Sequence, residues 1–312
     1  MLAESIRKEA SYYKDEVARL YAHPVLSSAI KAVSGAGPLT TGQILSALEP
    51  VFADTSWLVE AGRRWVGHLE GDELHFPPVP GALADGGSDV IKTALIFKND
   101  KVILALQSFD SQALALTRSQ LAVAGHVILT GRTTVTRVVN DASLSCSLVE
   151  FDALEATSDL DVALGVLGSS EFGLDLASPP LVVDGRSTAM RFLDSARNPL
   201  VLSATIVAGA LPFRCSVDTA TGAIVSVQAA RDVDNMARAG MTVLRQLEDP
   251  GRDALLEKFF GHEAHFVRWH ALREYAGMHG AAAIPALRQA LAVEASAYLR
   301  RGIESLIDAL ED

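Results

Sequence analysis

The spacing of hydrophobic residues divides the chain into three zones. In residues 2–70 apolar side chains recur with the period of a helix, which predicts helices in the segments ESIRKEASYYKDEVARLY, HPVLSSAIKAV, TTGQILSALEPVF and SWLVEAGRRWVGHLE. Thr40 or Thr41 is a typical N-cap for the third segment. The stretch FPPVPGALADGGSD then interrupts regular structure with proline and glycine. We therefore predict an N-terminal helical region over residues 1–85.

The second zone, residues 86–231, consists of short β-rich runs bounded by turn residues. Two hairpins are predicted, one at Asn99-Asp100 and one at Asp184-Gly185, because such dipeptides favour tight turns. Further strands are expected in ALALT, HVILTG, TTVTRVV, LSCSLVEF, LVLSATIV, FRCSV and AIVSVQA. No long helical pattern lies between them, which favours a cupin-like β-sandwich or barrel over a doubly wound parallel sheet.

The third zone, residues 232–312, returns to the helical period and predicts about five helices. The run VRWHALREYAGMHGAAAIPALRQAL resembles one HEAT-type helical pair, although a stable solenoid needs at least three repeats. The last helix carries an aliphatic stripe at helical spacing. Its members are Leu299, Ile303, Leu306, Ile307 and Leu310. The predicted fold class is α+β, with a helical N-terminal region, a cupin-like β domain and a C-terminal helical, HEAT-like bundle.

Composition and charge narrow the classes of partner. The chain has 312 residues, of which 49% are hydrophobic, so it can bury a sizeable core. Its formal charge of -11 repels phosphate backbones and anionic lipids, so we expect neither a nucleic acid nor a membrane partner. Cys146 and Cys215 lie in no CxxC pattern and are predicted to be core residues. Charges throughout MLAESIRKEASYYKDEV argue against a signal peptide, so we expect a cytoplasmic protein.

A dense histidine cluster, GHEAHFVRWHALRE, occupies residues 261–274. The zincin motif is absent, because Phe266 stands four residues after His262 where a second histidine is needed. A continuous helix would form two stripes, Glu263, His270 and Glu274 on one and His262, His265 and Trp269 on the other. These side chains either pack inside a helix buried on two sides, or contact a peptide or partner, or bind a metal. The spacing favours packing.

An iron site of the cupin type needs two histidines and one carboxylate. Between Phe76 and Gly261 the only histidine is His126. In the whole chain the only His-x-acid triplet is HLE, from His68 to Glu70. A triad of His68, Glu70 and His126 is an open alternative, but the expected strand geometry is missing. We therefore predict no cofactor.

Other catalytic motifs are incomplete. GAGPLTTG follows no strand, so it is predicted to be a loop before an N-cap rather than a dinucleotide-binding turn. No GxxxxGK[ST] is present. GSSEFG has Phe172 where GxSxG requires glycine, and it is also predicted to be a loop. These absences predict that the chain is not an enzyme.

The block from MARAGMTVLRQLED to PALRQAL follows the β domain and is predicted to be helical. It carries a signature of histidine, phenylalanine, arginine and tryptophan. It resembles the precursor-peptide-binding shuttle proteins of crocagin biosynthesis, a pathway that makes a ribosomally synthesised and modified peptide. The resemblance covers roughly residues 181–293. It is carried most strongly by His265, Phe266, Arg268, Trp269 and Arg273.

The resemblance implies a domain related to cupin-type asparaginyl hydroxylases that binds a precursor peptide, without modifying it, for the modifying enzymes of the same pathway. The peptide would contact His265, Arg268, Trp269 and Arg273, either in a groove beside the C-terminal helices or along an exposed strand edge. The acidic chain favours a basic peptide. The alternatives are an iron and 2-oxoglutarate-dependent peptide hydroxylase and a HEAT-like interaction scaffold.

The resemblance also implies a homodimer. Related hydroxylases dimerise through helices after the barrel, and the terminal stripe within residues 295–310 would meet its symmetry mate in such a dimer. A monomer would instead fold this helix back onto AIPALRQALA.

Overall fold

The computed structural model describes residues 15, 17–61, 91–115, 125–156, 158, 160–247 and 251–311. Helices precede and follow a region of strands, and every strand pair in it is antiparallel. This confirms the coarse prediction of a mixed fold without a parallel sheet. The main helices are α1 (Pro24–Ser34), α2 (Thr41–Ala53), α3 (Asp232–Gln246), α4 (Arg252–Glu257), α5 (His265–His279), α6 (Ile284–Val293) and α7 (Ala297–Glu311), with a 3₁₀ turn at Gly280–Ala283. Residues 17–22 and 56–61 are also helical.

Three sheets hold the eleven strands of the described residues. The strands are β1 (Ile91–Lys98), β2 (Val102–Phe109), β3 (His126–Leu129), β4 (Thr133–Val138), β5 (Leu144–Phe151), β6 (Val166–Leu174), β7 (Leu181–Asp184), β8 (Thr188–Ser195), β9 (Leu200–Ile206), β10 (Phe213–Asp218) and β11 (Ile224–Ala229). The five-stranded sheet has the order β1-β2-β9-β4-β7, and the others have the orders β11-β10-β3 and β6-β5-β8. Consecutive strands therefore often lie in different sheets.

The hairpin predicted at Asn99-Asp100 joins β1 and β2, which pair from Ile91↔Phe109 to Lys98↔Ile103. The Asn99 side-chain oxygen accepts hydrogen bonds from the backbone N–H groups of Lys101 and Val102, at 2.9 and 2.8 Å. An asparagine that bonds to the backbone two residues ahead stabilises a turn. This hairpin prediction is confirmed.

The hairpin predicted at Asp184-Gly185 is wrong, because β7 pairs with β4 whereas β8 pairs with β5. At Gly185 the chain crosses between two sheets and runs tightly against the loop before β4. A Cβ atom at Gly185 would lie 2.1 Å from the Thr130 hydroxyl and 2.5 Å from the Arg132 carbonyl. Glycine is needed here because two backbone segments approach closely and leave no room for a Cβ atom, and not because the residue forms a two-residue turn.

Three local predictions need correction. ALALT begins in a helical turn over residues 111–115, where the Asp110 carboxylate accepts hydrogen bonds from the N–H groups of Gln112 and Ala113. GSSEFG lies inside β6, since its main chain pairs with β5. Residues 261–264 precede α5, so His262 and Glu263 are not on its faces. The predicted loop before α2 is confirmed, with Thr40 as N-cap of a capping box with Gln43.

The five-stranded sheet is covered on both faces except at its edge strand β7, where Val182 is exposed. On one face α1 and α2 pack Leu26, Ile44 and Phe52 against Val135 and other strand residues. On the other face Phe109 and Val201 meet residues of the β6-β5-β8 sheet, and the rings of Phe109 and Phe192 are 4.7 Å apart. The two sheets therefore form a sandwich with a helical layer outside it.

A second core joins the remaining strands to the C-terminal helices. Phe213 and Val217 of β10 lie in the same buried cluster as Met241, Leu256 and Val267 of α3, α4 and α5. Cys146 and Cys215 are both buried and free, as predicted. Burial raises the pKa of each thiol to about 12, so both are protonated at neutral pH.

The stripe of α7 is buried within the same chain. Leu299, Ile303 and Ile307 pack on Leu272 of α5 and Leu287 of α6. This is the arrangement in which the terminal helix folds back onto AIPALRQALA. The homodimer itself stays a prediction, but this stripe is not available as its interface.

Candidate functional site

The four predicted peptide contacts on α5, which are His265, Arg268, Trp269 and Arg273, have different surroundings. His265 is 3% exposed and its ring lies edge-on to Phe213, Phe266 and Tyr298, at centroid distances of 5.2, 5.6 and 6.1 Å. Both ring nitrogens are buried without a hydrogen-bond partner in the described structure. Burial lowers the pKa of His265 to about 4, so the ring is neutral at pH 7.

Arg268 is held by internal contacts. It forms a two-point ion pair with Glu294, with N–O distances of 2.7 and 2.6 Å, and donates to the backbone carbonyls of His262 and Glu263. Burial raises the pKa of Glu294, but the Arg268 hydrogen bonds and the Ser296 N–H outweigh it and lower the pKa. The pair ties the start of α5 to the α6–α7 connection.

Trp269 and Arg273 lie on the side of α5 that faces α7. The Trp269 ring packs on the backbone at Gly302, where a Cβ atom would lie 3.3 Å from two ring carbons. The Arg273 guanidinium is 5.8 Å from the ring centroid and its side chain is exposed. Trp269 is partly buried rather than fully buried. The roles of His265, Arg268, Trp269 and Arg273 in peptide binding stay predictions.

A polar cluster joins α3 to α5. The Thr242 hydroxyl lies 2.9 Å from His270 Nε2 and donates to Glu274 at 3.0 Å, while Arg245 Nε is 2.8 Å from the other Glu274 oxygen. His270 and Glu274 share one stripe, as predicted, and are 3.3 Å apart. Burial lowers the pKa of His270 against the opposing effect of the Glu274 carboxylate. Apart from Glu274 Oε2, which forms an ion pair with Arg245 but no hydrogen bond, the members bond to one another, which indicates a structural network.

Only one member of the alternative iron triad can be placed. His126 begins β3, whereas His68 and Glu70 lie outside the described residues. The neighbour of His126 is Asp218, its cross-strand partner on β10, with 3.7 Å between Nε2 and Oδ2. Among the residues that the structure describes, no three His, Cys, Asp or Glu side chains come together as metal ligands. Two donors do not complete a facial triad.

An apolar groove of about 370 Å³ lies between α2 and the edge of the five-stranded sheet. Its lining is Leu45, Ser46, Leu48, Glu49, Phe52, Ala53, Val135, Pro180 and Val182. Val135 and Val182 are cross-strand partners on β4 and β7, but Val135 is 4% exposed and Val182 is 51% exposed. Helix α2 therefore covers β4 and leaves β7 open to solvent on this face.

Strand β7 is the edge of its sheet. It pairs with β4 from Thr133↔Asp184 to Thr136↔Leu181, and within the described residues its other side pairs with no strand. Unpaired main-chain groups along an edge are a template for another strand. This site was not predicted from the sequence, although Pro179-Pro180 before a short aliphatic run is a signal for an edge strand.

Two charged side chains are shown at this groove, the Glu49 carboxylate in its lining and the Arg137 guanidinium on two lining residues. Arg137 of β4 donates to the carbonyls of Phe52 and Ala53 at the end of α2 and to Leu176 in the segment before β7. Asp54 follows Ala53 and Asp175 precedes Leu176, so both carboxylates are chain neighbours of residues that Arg137 contacts. Hydrogen bonds from Ser56 hold the pKa of Asp54 below its usual range, and those from Ser178 do the same for Asp175. Both are anions at neutral pH.

No protein-family model and no curated protein matches the sequence. Among solved structures the chain is similar to a crystal structure of Fe(II) HppE, at 9% identity and a TM-score of 0.24, over 63% of this chain and 97% of that chain. It is also similar to hydroxypropylphosphonic acid epoxidase from S. wedmorenis, at 10% identity and a TM-score of 0.22, over 63% of this chain and 95% of that one. A likeness at these TM-scores carries no argument about the chemistry of this chain.

The prediction that the chain is not an enzyme is contradicted by what these neighbours are, an Fe(II) protein and an epoxidase, although they assign no activity to this chain. That prediction rests on missing motifs, and a missing motif says nothing about a site whose ligands come from separate strands. We therefore drop it.

Within the described residues, no helix is both long and apolar enough to cross a lipid bilayer.

Proposed function

We propose that this protein binds an extended peptide by strand addition at β7. The observation that carries the proposal is an open strand edge beside an apolar groove, with Val182 51% exposed between them. In this mode main-chain hydrogen bonds supply affinity, and alternate side chains enter pockets next to the edge. Both elements of that mode are present at β7.

The groove suits aliphatic side chains at every second position of the peptide. Side chains alternate between the two faces of a strand, so those on the Val182 face would point toward Leu45 and Phe52 of α2. A volume of about 370 Å³ falls within the range of small-ligand pockets.

Charge favours a basic peptide. Glu49 lines the groove, and the carboxylates of Asp54 and Asp175 outnumber the one guanidinium, Arg137, that contacts their chain neighbours. Lysine or arginine on the peptide would be attracted to these carboxylates and would lose this attraction as salt is added.

The finer parts of the proposal rest on the resemblance to crocagin-type shuttle proteins. They are that the peptide is a ribosomal precursor, that its modifying enzymes are further partners, that the three sheets close in a cupin-like manner and that the C-terminal helices are HEAT-like. The close approach of β3 and β8, where Arg191 donates to the His126 carbonyl at 2.9 Å, supports a continuous cupin-like second layer.

The surface of α5 is the second candidate location for the peptide. The exposed Arg273 guanidinium over the Trp269 ring would suit a carboxylate or backbone carbonyl of a bound chain. We rank it after β7 because His265 is buried and Arg268 is used by Glu294 and two carbonyls.

Fluorescence polarisation with a fluorescein-labelled octapeptide of alternating lysine and valine tests the proposal. We expect saturable binding that weakens with salt, and much weaker binding of the glutamate-valine counterpart. A lysine-valine peptide with alternate amides N-methylated keeps its charge and side chains but loses main-chain donors. It should bind at least tenfold more weakly if a strand is added.

Two substitutions locate the site. Val182→Asp should lower affinity at least tenfold, while Val225→Asp, on edge strand β11 with 53% exposure, should leave it unchanged. If both variants bind like the parent protein and Arg273→Ala abolishes binding, the peptide lies on α5. Failure of every basic and acidic peptide to bind would end the proposal.

A further inference from the structure

Helix α3 turns its charged side toward the protein. Asp234 is 1% exposed and accepts two hydrogen bonds from Arg231, at 3.0 and 2.9 Å. Thr242 and Arg245 contact Glu274 of α5. The only fully buried apolar residue described on α3 is Met241, at 1% exposure. This is the reverse of an ordinary surface helix, whose apolar stripe faces the core.

The opposite side of α3 is an exposed apolar stripe. The exposed fraction is 62% at Val233, 73% at Met236, 54% at Val243 and 52% at Leu247. Leu247 is the residue that caps α3. With Gly240 they follow steps of three, four, three and four residues, the spacing of the a and d positions of a heptad. Single exposed apolar residues are ordinary, but a contiguous stripe marks an interaction surface.

We propose that this stripe pairs with the same stripe of a second copy of the chain, in an antiparallel two-helix seam. Heptad spacing fits another helix and does not fit an extended peptide, whose side chains repeat every two residues. A two-fold axis lets one patch serve both copies, so no second surface is needed.

Charge selects a second copy at this face. A chain with a formal charge of -11 repels its own copies wherever carboxylates would meet. Between the ends of the stripe its flanking heptad positions are uncharged. They are Ala237, Ala239, Leu244 and Gln246. Asp232 flanks one end of the stripe, whereas Asp234 and Arg245 contact other parts of the protein, so the middle of the seam buries no carboxylate. Antiparallel helix dipoles add a favourable interaction.

The register follows from side-chain size. In an antiparallel seam an a position faces a d position, which sets Met236 of one copy against Leu247 of the other and Gly240 against Val243. A Cβ atom at Gly240 would meet nothing within 4 Å in the isolated chain. The glycine therefore leaves room for the valine of the other copy and lets the backbones approach closely.

The seam is short, so the dimer is expected to be weak. A helix of 15 residues is about 22 Å long. A single pair of such helices falls at the low end of specific interfaces, where association is transient. We expect dissociation in the range of about 1–100 μM, so the oligomeric state has to be measured across that range.

Sedimentation velocity with Met236→Glu tests the seam. The parent protein should shift from monomer to dimer as its concentration rises, and Met236→Glu should weaken the dimer at least tenfold. The matched control is Val293→Glu at the end of α6, where an isolated valine is 83% exposed. A parent protein that stays monomeric to several hundred μM, or equal effects of both substitutions, would overturn the proposal.

Crosslinking tests the register. The native thiols are buried, so a new surface cysteine reacts alone. A mixture of Met236→Cys and Leu247→Cys proteins should form a mixed disulfide dimer faster than either variant alone or Val293→Cys. Disulfides in Met236→Cys alone, without the mixed product, would overturn the antiparallel seam. Circular dichroism of each variant confirms that it is folded.

Discussion

His265 carries an imidazole that is 3% exposed and has no hydrogen-bond partner for either nitrogen. Its pKa is about 4 in the folded chain and near 6.5 in an unfolded one. As pH falls from 6.5, the unfolded chain takes up a proton that the folded chain does not. The stability that comes from a neutral His265 is therefore complete above pH 6.5 and is lost as pH falls through 4.

We expect His265→Phe to remove this pH dependence. A phenylalanine keeps the edge-on contacts with Phe213 and Tyr298 and has no nitrogen to bury. Urea unfolding at pH 7.0 and 4.5 should show that the parent loses on the order of 2–3 kcal/mol more than the variant between these pH values. The same substitution at His126, whose ring is 38% exposed, is the control. An equal acid loss in parent and His265→Phe would contradict this account.

The residues of α5 also show how far a sequence signature reaches. Spacing placed His270 and Glu274 on one stripe, and the structure brings them to 3.3 Å. Spacing along the helix could not show that Glu294, 26 residues after Arg268, supplies a carboxylate for that arginine. Helical periodicity relates neighbours within one element, whereas the partners of Arg268 and His265 come from other elements.

At the scale of single elements, Gly222 shows how the turn between β10 and β11 is held. Its φ is +71°, and the N–H of Leu164 donates to its carbonyl at 2.9 Å. A Cβ atom there would lie 1.8 Å from the Leu164 carbonyl oxygen. Gly209 has the same φ of +71°, but a Cβ atom there would lie 3.7 Å from its nearest neighbour, the Thr41 hydroxyl.

Alanine at these two glycines should separate backbone strain from steric clash. Gly209→Ala should cost about 1–2 kcal/mol, because only the left-handed conformation opposes it. Gly222→Ala should cost clearly more, since the turn has to move off the Leu164 carbonyl. Chemical denaturation of both variants measures the difference. Equal losses in the free energy of unfolding would mean that the backbone at Leu164 moves away from the new Cβ atom without an energetic cost.

Sequence patterns predicted most strands but not their partners. Alternation and turn residues found β4, β5, β9, β10 and β11, and Asn99 marked one true hairpin. Asp184-Gly185 predicted a second hairpin, because a single sequence does not distinguish a turn dipeptide from a glycine at which the chain crosses between sheets. The groove beside β7 was missed for a similar reason, since it joins Leu45 to Val182 across 137 residues of sequence.

For the whole molecule, the order of strands along the chain opposes a division of the strand region into independent domains. The chain passes from β3 in one sheet to β4 in another and β5 in the third, and later repeats such crossings through β8, β9 and β10. No sheet is formed by one continuous segment. The predicted boundary between residues 231 and 232 separates strands from helices, but the cluster around Phe213 and Val267 spans it.

We therefore expect the chain to unfold in one cooperative transition. Leu256→Ala in α4 and Ile44→Ala in α2 each remove a fully buried aliphatic side chain, and each should cost about 2–5 kcal/mol. If the strands, α2 and α4 form one unit, calorimetry shows a single peak that both substitutions move to lower temperature. Two peaks, with Leu256→Ala moving one and Ile44→Ala the other, would show that the C-terminal helices fold apart from the N-terminal part, in spite of their shared core with β10.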